Sequence, residues 1–307
     1  MKAENSIFTY LALTLAVLFW GLSFVATKVA LQSFSPFCLI FFRFFTASIF
    51  FGLFFWRTGF PQLTKKGIKS LMLLAVMQPG LYFTFETLGL QYTSATKTSL
   101  IIATIPILVL TLSAVLLKER VRPTTLCGIC LSLVGVALLV FGDSAHTELQ
   151  GMLIGDLLIL GAVISAAIYM VMARKLGDTI PSHQITGMQI IFGALLFFPA
   201  FLWDLPHLNW GAVTRESIIA LIGLTIFATI GAFLCYNYAL TKIPVARASV
   251  FINGIPLVTA FGAWVILGES LTTVQLLGGA VVLIAVIVTN HTPKTKIPGK
   301  EANSDYY

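Results

Sequence analysis

The strongest constraint in this sequence is a succession of apolar runs, each about as long as a bilayer is thick. They lie at 8–30, 36–56, 68–90, 96–117, 124–141, 151–173, 182–203, 216–240, 246–267 and 273–290, with short polar junctions between them. A spanning helix needs roughly 20 mainly apolar residues to cross a hydrocarbon core about 30 Å thick. Composition agrees: 58% of the 307 residues are hydrophobic, 19 are basic, 12 are acidic, and mean hydropathy is +0.94. Soluble domains carry about 25% charged residues and could not bury so much apolar surface. Soluble enzymes and nucleic-acid-binding proteins are thereby excluded. The pattern predicts an all-α polytopic membrane protein with ten transmembrane helices.

Loop charge sets the expected orientation. With the N-terminus inside, the inside segments hold Lys2, then Arg57, Lys65, Lys66 and Lys69, then Lys118, Arg120 and Arg122. They also hold Arg174, Lys175, Lys242, Arg247, Lys294, Lys296 and Lys300. The outside segments hold only Lys28, Lys97 and Arg215, and Arg43 is left inside a span. Positive residues favour the cytoplasmic side, so both termini are expected in the cytoplasm and the protein in the cell (inner) membrane. The first run lacks the short apolar region and small-residue cleavage site of a removable signal peptide, and is expected to stay as the first span. The polar, Lys-rich tail 291–307 is expected to be a disordered cytoplasmic end.

A shift of 150 residues aligns the two halves without a gap, setting Ser99 on Ser249, Pro106 on Pro256, Glu119 on Glu269 and Gly128 on Gly278. Lys97 meets Arg247 and Leu126 meets Leu276. A weaker match at 145 sets Trp20 on Ser165 and Phe24 on Tyr169. The expected organisation is an N-terminal five-helix repeat at 1–146 and a C-terminal one at 147–290. Five is odd, so the copies are expected to enter the membrane in opposite directions, as two inverted repeats around a central cavity. Duplication that merely builds a stable bundle is the alternative.

Within the runs, a few side chains stand out. Arg43 lies about 10 Å inside its span, where a central Arg costs roughly 2.5–3.5 kcal/mol, so it should face protein or water; snorkelling to the surface is the alternative. Glu86 lies at similar depth and is its natural partner, either as a structural pair or as a carboxyl that titrates and couples transport to protons. Gln78, Tyr82 and Glu86 form an i, i+4, i+8 stripe, and Trp20, Ser23 and Thr27 share a face. Ser249, Asn253 and Pro256 share another, and Thr229 and Tyr236 are seven apart; Tyr169 is the repeat mate of Phe24. Such stripes turn inward in a bilayer, either to bond between helices or to line a shared polar cavity. With Trp20, Tyr82, Tyr169 and Tyr236, that cavity suits a small amphipathic solute. Pro106 and Pro256 can kink their helices, as bend points for rocking halves or as static kinks.

Cys38, Cys127, Cys130 and Cys235 all lie in apolar runs and are expected to be small packing residues, the Cys127–Cys130 CxxC included. The four histidines never cluster, so no metal or other cofactor is expected. Gly151-x-x-x-Gly155 can pack two helices closely within one chain or between two, leaving monomer or homodimer open.

The ten-span layout and Trp20-Gly21-Leu22-Ser23-Phe24 resemble the EamA family of the drug/metabolite transporter superfamily. So do Arg43 in Phe41-Phe42-Arg43-Phe44 and the paired blocks from Ser99 through Pro106 to Glu119 and from Ser249 through Pro256 to Glu269. The resemblance covers nearly the whole chain except the tail. It departs at Ser165, where the family often has Trp. It implies a secondary transporter that exports or exchanges small metabolites, most often amino acids or related compounds, by alternating access. A drug or sugar-nucleotide permease of the same fold is the nearest variant. A membrane-embedded transferase is a weaker one, since no HxxxxD-like pair or Asp-rich pair is present, and no P-loop points to ATP-driven transport.

Overall fold

A computed structural model describes residues 4–118, 123–141 and 153–267, and then 273–274, 277–278, 280–281 and 284–285. Every regular element among the described residues is helical. The chain runs α1 (Glu4–Ala30), α2 (Pro36–Thr58), α3 (Lys65–Ala75), a π-helical turn Val76–Leu81, and α4 (Tyr82–Tyr92). It continues through α5 (Ala95–Ile102), α6 (Ile105–Leu116), α7 (Pro123–Phe141), α8 (Leu153–Leu176) and α9 (Ser182–Asp204). After two short 3-10 turns come α10 (Arg215–Gly223), a second π-helical turn Leu224–Gly231, and α11 (Ala232–Leu240). Last are α12 (Val245–Val250), a 3-10 turn Phe251–Gly254, and α13 (Ile255–Leu267).

Among the described residues, seven helical stretches are long and apolar enough to cross a membrane: Ile7–Ala30, Pro36–Thr58, Lys65–Tyr92, Ile154–Leu176, Ser182–His207, Arg215–Leu240 and Val245–Ile266. The run expected at 96–117 is divided into α5 and α6 at Ala103–Thr104, and the run at 124–141 is α7. Most of the run at 273–290, with Gly151, Glu119, Glu269 and the tail, lies outside the described residues. The side-chain distribution is that of a protein solvated by hydrocarbon. Ile7, Trp56, Leu195 and Phe261 face outward, while Arg43, Gln78, Glu86, Gln189 and Asn237 are buried. In water such a surface would be one continuous apolar patch.

Several of the expected spans are interrupted among the described residues, some away from the bend points expected at Pro106 and Pro256 and others close to them. Pro79 interrupts the third, and Gln78 beside it leaves helical geometry altogether, at φ −148° and ψ 118°. Pro106 and Pro256 each stand second in a new helix, just after the breaks at Ala103–Thr104 and Phe251–Gly254. A proline N1 or N2 position wastes no backbone donor, so each residue starts a helix instead of kinking one.

These irregularities recur 150 residues apart. Thr64 caps α3 by accepting from the Gly67 N–H at 3.1 Å, and Thr214 caps α10 by accepting from the Ser217 N–H at 3.2 Å. The π turns at Val76–Leu81 and Leu224–Gly231 correspond, as do the starts of α6 and α13. Neighbours correspond too: α2 packs on α9, α4 on α8 as α11 on α1, α6 on α8 as α13 on α1, and α12 on α6 as α5 on α13. Glycines set these approaches. A Cβ at Gly193 would lie 2.3 Å from Pro79 Cγ, and one at Gly89 would lie 2.5 Å from Ile159 Cδ1. Gly155 packs against Gly89 and Tyr92 within the same chain.

Candidate functional site

The interrupted helices enclose a central cavity. Trp20, Ser23 and Phe24 of α1 form one wall, and Gln78, Tyr82, Phe83 and Glu86 form the wall opposite. Ile102, Ile105, Ile252 and Ile255 close it from the two broken helices, with Ala166 and Met170 of α8 behind. The space is tight: about 20 Å³ is open to the centre of a water molecule, room for roughly one water. Any larger solute requires these walls to part.

Five of the residues expected at the cavity line it: Trp20, Ser23, Gln78, Tyr82 and Glu86. Gln78 reaches it from extended backbone instead of from the expected helical stripe. Its Oε1 and the Oε2 of Glu86 are buried without a hydrogen-bond partner. Trp20 is oriented by its indole N–H, which donates to the Ala228 carbonyl at 3.2 Å, and the Ser23 hydroxyl donates to the Trp20 carbonyl at 2.7 Å.

Arg43 stands behind the Glu86 wall. Its Nε donates to the Thr229 hydroxyl, which in turn donates to the Leu224 carbonyl at 3.0 Å. Its guanidinium carbon sits 4.5 Å from the Phe83 ring centre and 5.8 Å from that of Phe44. Cation–π contacts of this kind are worth about 2 kcal/mol when desolvated, which helps a membrane span tolerate the charge. Nη2 is buried without a partner. The expected Arg43–Glu86 ion pair is absent: the two are within Coulombic reach, but Thr229 and Phe83 are the direct neighbours of the guanidinium. Sequence depth placed the two at one level, whereas helix rotation decided what Arg43 meets.

Other expected residues lie elsewhere. Tyr236 packs its ring 5.0 Å from Trp20 and donates to Met170 Sδ at 3.4 Å, filling space beside the cavity. Asn253 is buried in the 3-10 turn between α12 and α13 and does not line the cavity. Tyr169 belongs to a separate buried network. Its hydroxyl donates to Asn237 Oδ1 at 2.6 Å with Gln189 Oε1 at 3.2 Å, and Asn237 Nδ2 donates to Thr186 Oγ1 at 2.9 Å. The corresponding first-half positions are Phe24, Thr87, Phe44 and Phe41, so one half is closed by hydrogen bonds where the other is closed mainly by rings.

Sequence reasoning missed Gln189, Asn237 and Thr186, although two amides inside apolar runs are a readable signal. It also missed Asp204, a buried carboxylate at the end of α9 that accepts from the Phe37 and Cys38 N–H groups at 2.9 and 3.2 Å. Asp204 thus caps α2 from another helix, which no local pattern announces. Cys38 is buried as expected, but Cys127 and Cys130 face outward from α7 and are not packing residues. They occupy the outward face of that helix, where small apolar side chains meet hydrocarbon at little cost.

Comparison with known proteins agrees with this architecture. The EamA-like transporter family model matches residues 7–141 and 153–291. An uncharacterized transporter of Bacillus subtilis, YcxC, is 31% identical over 306 residues, covering 95% of this chain and 96% of that protein. Another from the same organism, YetK, is 30% identical over 283 residues, covering 91% and 86%. An uncharacterized transporter of Archaeoglobus fulgidus is 29% identical over 282 residues, covering 92% and 96%. One solved structure superposes with a TM-score of 0.74 at 17% identity, over 94% of this chain and 96% of that one, and shares its fold. With apolar spans, a buried cavity that carries Gln78 and Glu86, and this family match, the chain belongs to the EamA-like transporter family of the drug/metabolite transporter superfamily.

Proposed function

We propose that the protein is a secondary transporter that exports or exchanges small amphipathic metabolites, amino acids or related compounds first among them. Alternating access would run between two inverted five-helix repeats, 1–146 and 147–290, making ten spans in the cell membrane with both termini cytoplasmic. The recurrence of caps, π turns and helix breaks at a spacing of 150 residues supports the two-repeat reading. The loop charges support the orientation.

The observation that carries the substrate class is the set of unpaired polar atoms in and behind the cavity. Arg43 Nη2 offers a donor, while Gln78 Oε1 and Glu86 Oε2 offer acceptors. Leaving such groups unpaired costs about 1–3 kcal/mol each, more for charged ones. An ammonium donor satisfies the two acceptors that line the cavity, an anionic acceptor reaches Arg43 once the wall in front of it parts, and Trp20 and Tyr82 supply rings for the apolar part of such a solute. Glu86 is the group through which coupling to protons would run.

The test is efflux from proteoliposomes loaded with a mixed pool of amino acids and small metabolites, comparing wild type with Arg43→Ala, with and without a pH gradient. Selective efflux of a defined subset, lost in Arg43→Ala, is expected. No movement from the pool by folded protein would overturn the amino-acid reading. Sugar-nucleotides and drugs are then the next pools.

A further inference from the structure

A second concavity opens on the membrane-facing side, between α1 and the segment from α10 into its π turn. Its volume is about 250 Å³, and Phe19, Ser23, Ala26, Gly223, Leu224 and Phe227 line it with Leu22 and Ala228. Gly223 lies about 12 Å along the helix from Arg215, and Ala26 about 6 Å from the end of α1, so the groove sits at hydrocarbon depth. Leu22 and Phe227 of its lining are exposed, as are Leu18, one turn before Leu22, and Ile226, next to Phe227.

Two features tie this groove to the central cavity. Ser23 lines both spaces, so a single side chain separates them at that point. Ala228 lines the groove, while its carbonyl accepts the Trp20 indole N–H at 3.2 Å. The one side-chain polar atom in the lining, Ser23 Oγ, already donates to the Trp20 carbonyl. Nothing in the groove therefore holds water, and filling it with hydrocarbon buries apolar surface.

We propose that this groove is an acyl-chain site, in which a tail of a surrounding phospholipid reaches the Trp20–Ala228 wall of the central cavity. The occupant follows from the medium: the mouth opens at the depth of lipid tails, and the lining is apolar with no charge to recruit a headgroup. The π turn makes the site consequential, since Ala228 meets the lipid while adjacent Thr229 holds Arg43. The inference does not depend on what the cavity transports.

The experiment uses the full chain in phosphatidylcholine whose tails carry bromine at mid-chain, a contact quencher of indole. Gly223→Leu is the plug: a Cβ at Gly223 meets nothing within 4 Å, and its φ of −59° suits any residue. The plug is expected to remove the Trp20 share of the quenching, while quenching of the exposed Trp56, Trp203, Trp210 and Trp264 persists. Identical quenching in wild type and Gly223→Leu would overturn the proposal. A variant keeping only Trp20, with the other four changed to Phe, gives the sharper reading. Its emission should fall in brominated lipid and recover with Gly223→Leu; emission indifferent to bromine would equally overturn it. If that variant does not fold, the wild-type comparison alone decides.

Discussion

Arg43 Nε on α2 donates to the Thr229 hydroxyl in the π turn between α10 and α11, joining elements from opposite halves of the chain. The π turn is what makes the bond available. With five residues closing each ring, the Thr229 hydroxyl donates back to the Leu224 carbonyl and presents its lone pair to the guanidinium. Thr229→Val removes that acceptor and leaves a buried cation short of a partner. We expect a loss of about 1–3 kcal/mol, read as a lower Tm in detergent, with Thr229→Ser close to wild type.

Glu86→Gln keeps the shape of the cavity wall and removes its carboxyl. A gradient of one pH unit is worth about 1.4 kcal/mol per coupled proton, up to roughly tenfold accumulation. That accumulation is expected to vanish in Glu86→Gln, while equilibrating exchange of the same solute continues. A gradient response undiminished in the variant would remove Glu86 from the coupling step.

Asp204 caps α2 across the α2–α9 interface. Asp204→Ala strips the acceptor from the Phe37 and Cys38 N–H groups, at a cost of about 1–2 kcal/mol. Asp204→Asn retains one oxygen and should lose less. Thermal unfolding of the two variants side by side checks the order.

The glycines divide by what surrounds them. Gly193→Ala places a methyl 2.3 Å from Pro79 Cγ, so overpacking should destabilise by about 1–3 kcal/mol. Gly223→Ala meets nothing within 4 Å and should be neutral or slightly stabilising. A Tm drop confined to the first variant is the expected result.

Tyr169→Phe removes the hydroxyl that donates to Asn237 Oδ1 at 2.6 Å, leaving a buried acceptor unsatisfied. A loss of about 1 kcal/mol in stability is expected. Adding Asn237→Leu should deepen that loss, because it also takes the donor from Thr186 Oγ1 and from Gln189 Oε1, which Tyr169→Phe has already deprived of the tyrosine hydroxyl. Unfolding of the two singles and the double tests the coupling.

Much of the architecture was readable in one dimension. Residues 36–56 and 182–203 announce spans because each carries enough apolar surface to leave water unaided. The 150-residue repeat was readable because Pro106 and Pro256 are tied to backbone chemistry at helix starts. Trp20, Gln78 and Glu86 were readable as inward-facing because an unpaired polar group pays heavily for facing lipid. The Asp204 cap was not, since its donors lie more than 160 residues away in the chain. Nor was the interruption of the stretch Arg215–Leu240, whose π turn contains no proline.

The sequence by itself determined that this chain lives in a bilayer, where its apolar runs lie, and that Arg43, Gln78 and Glu86 turn away from lipid. Those properties depend on the transfer of each segment from water, a sum over local residues. The tertiary structure alone decided that Arg43 meets Thr229 and Phe83 instead of Glu86, and that Tyr169 joins Gln189 and Asn237 instead of the cavity. Partner choice depends on helix rotation and on how closely backbones approach at glycines such as Gly193 and Gly89, and hydropathy carries no information about either.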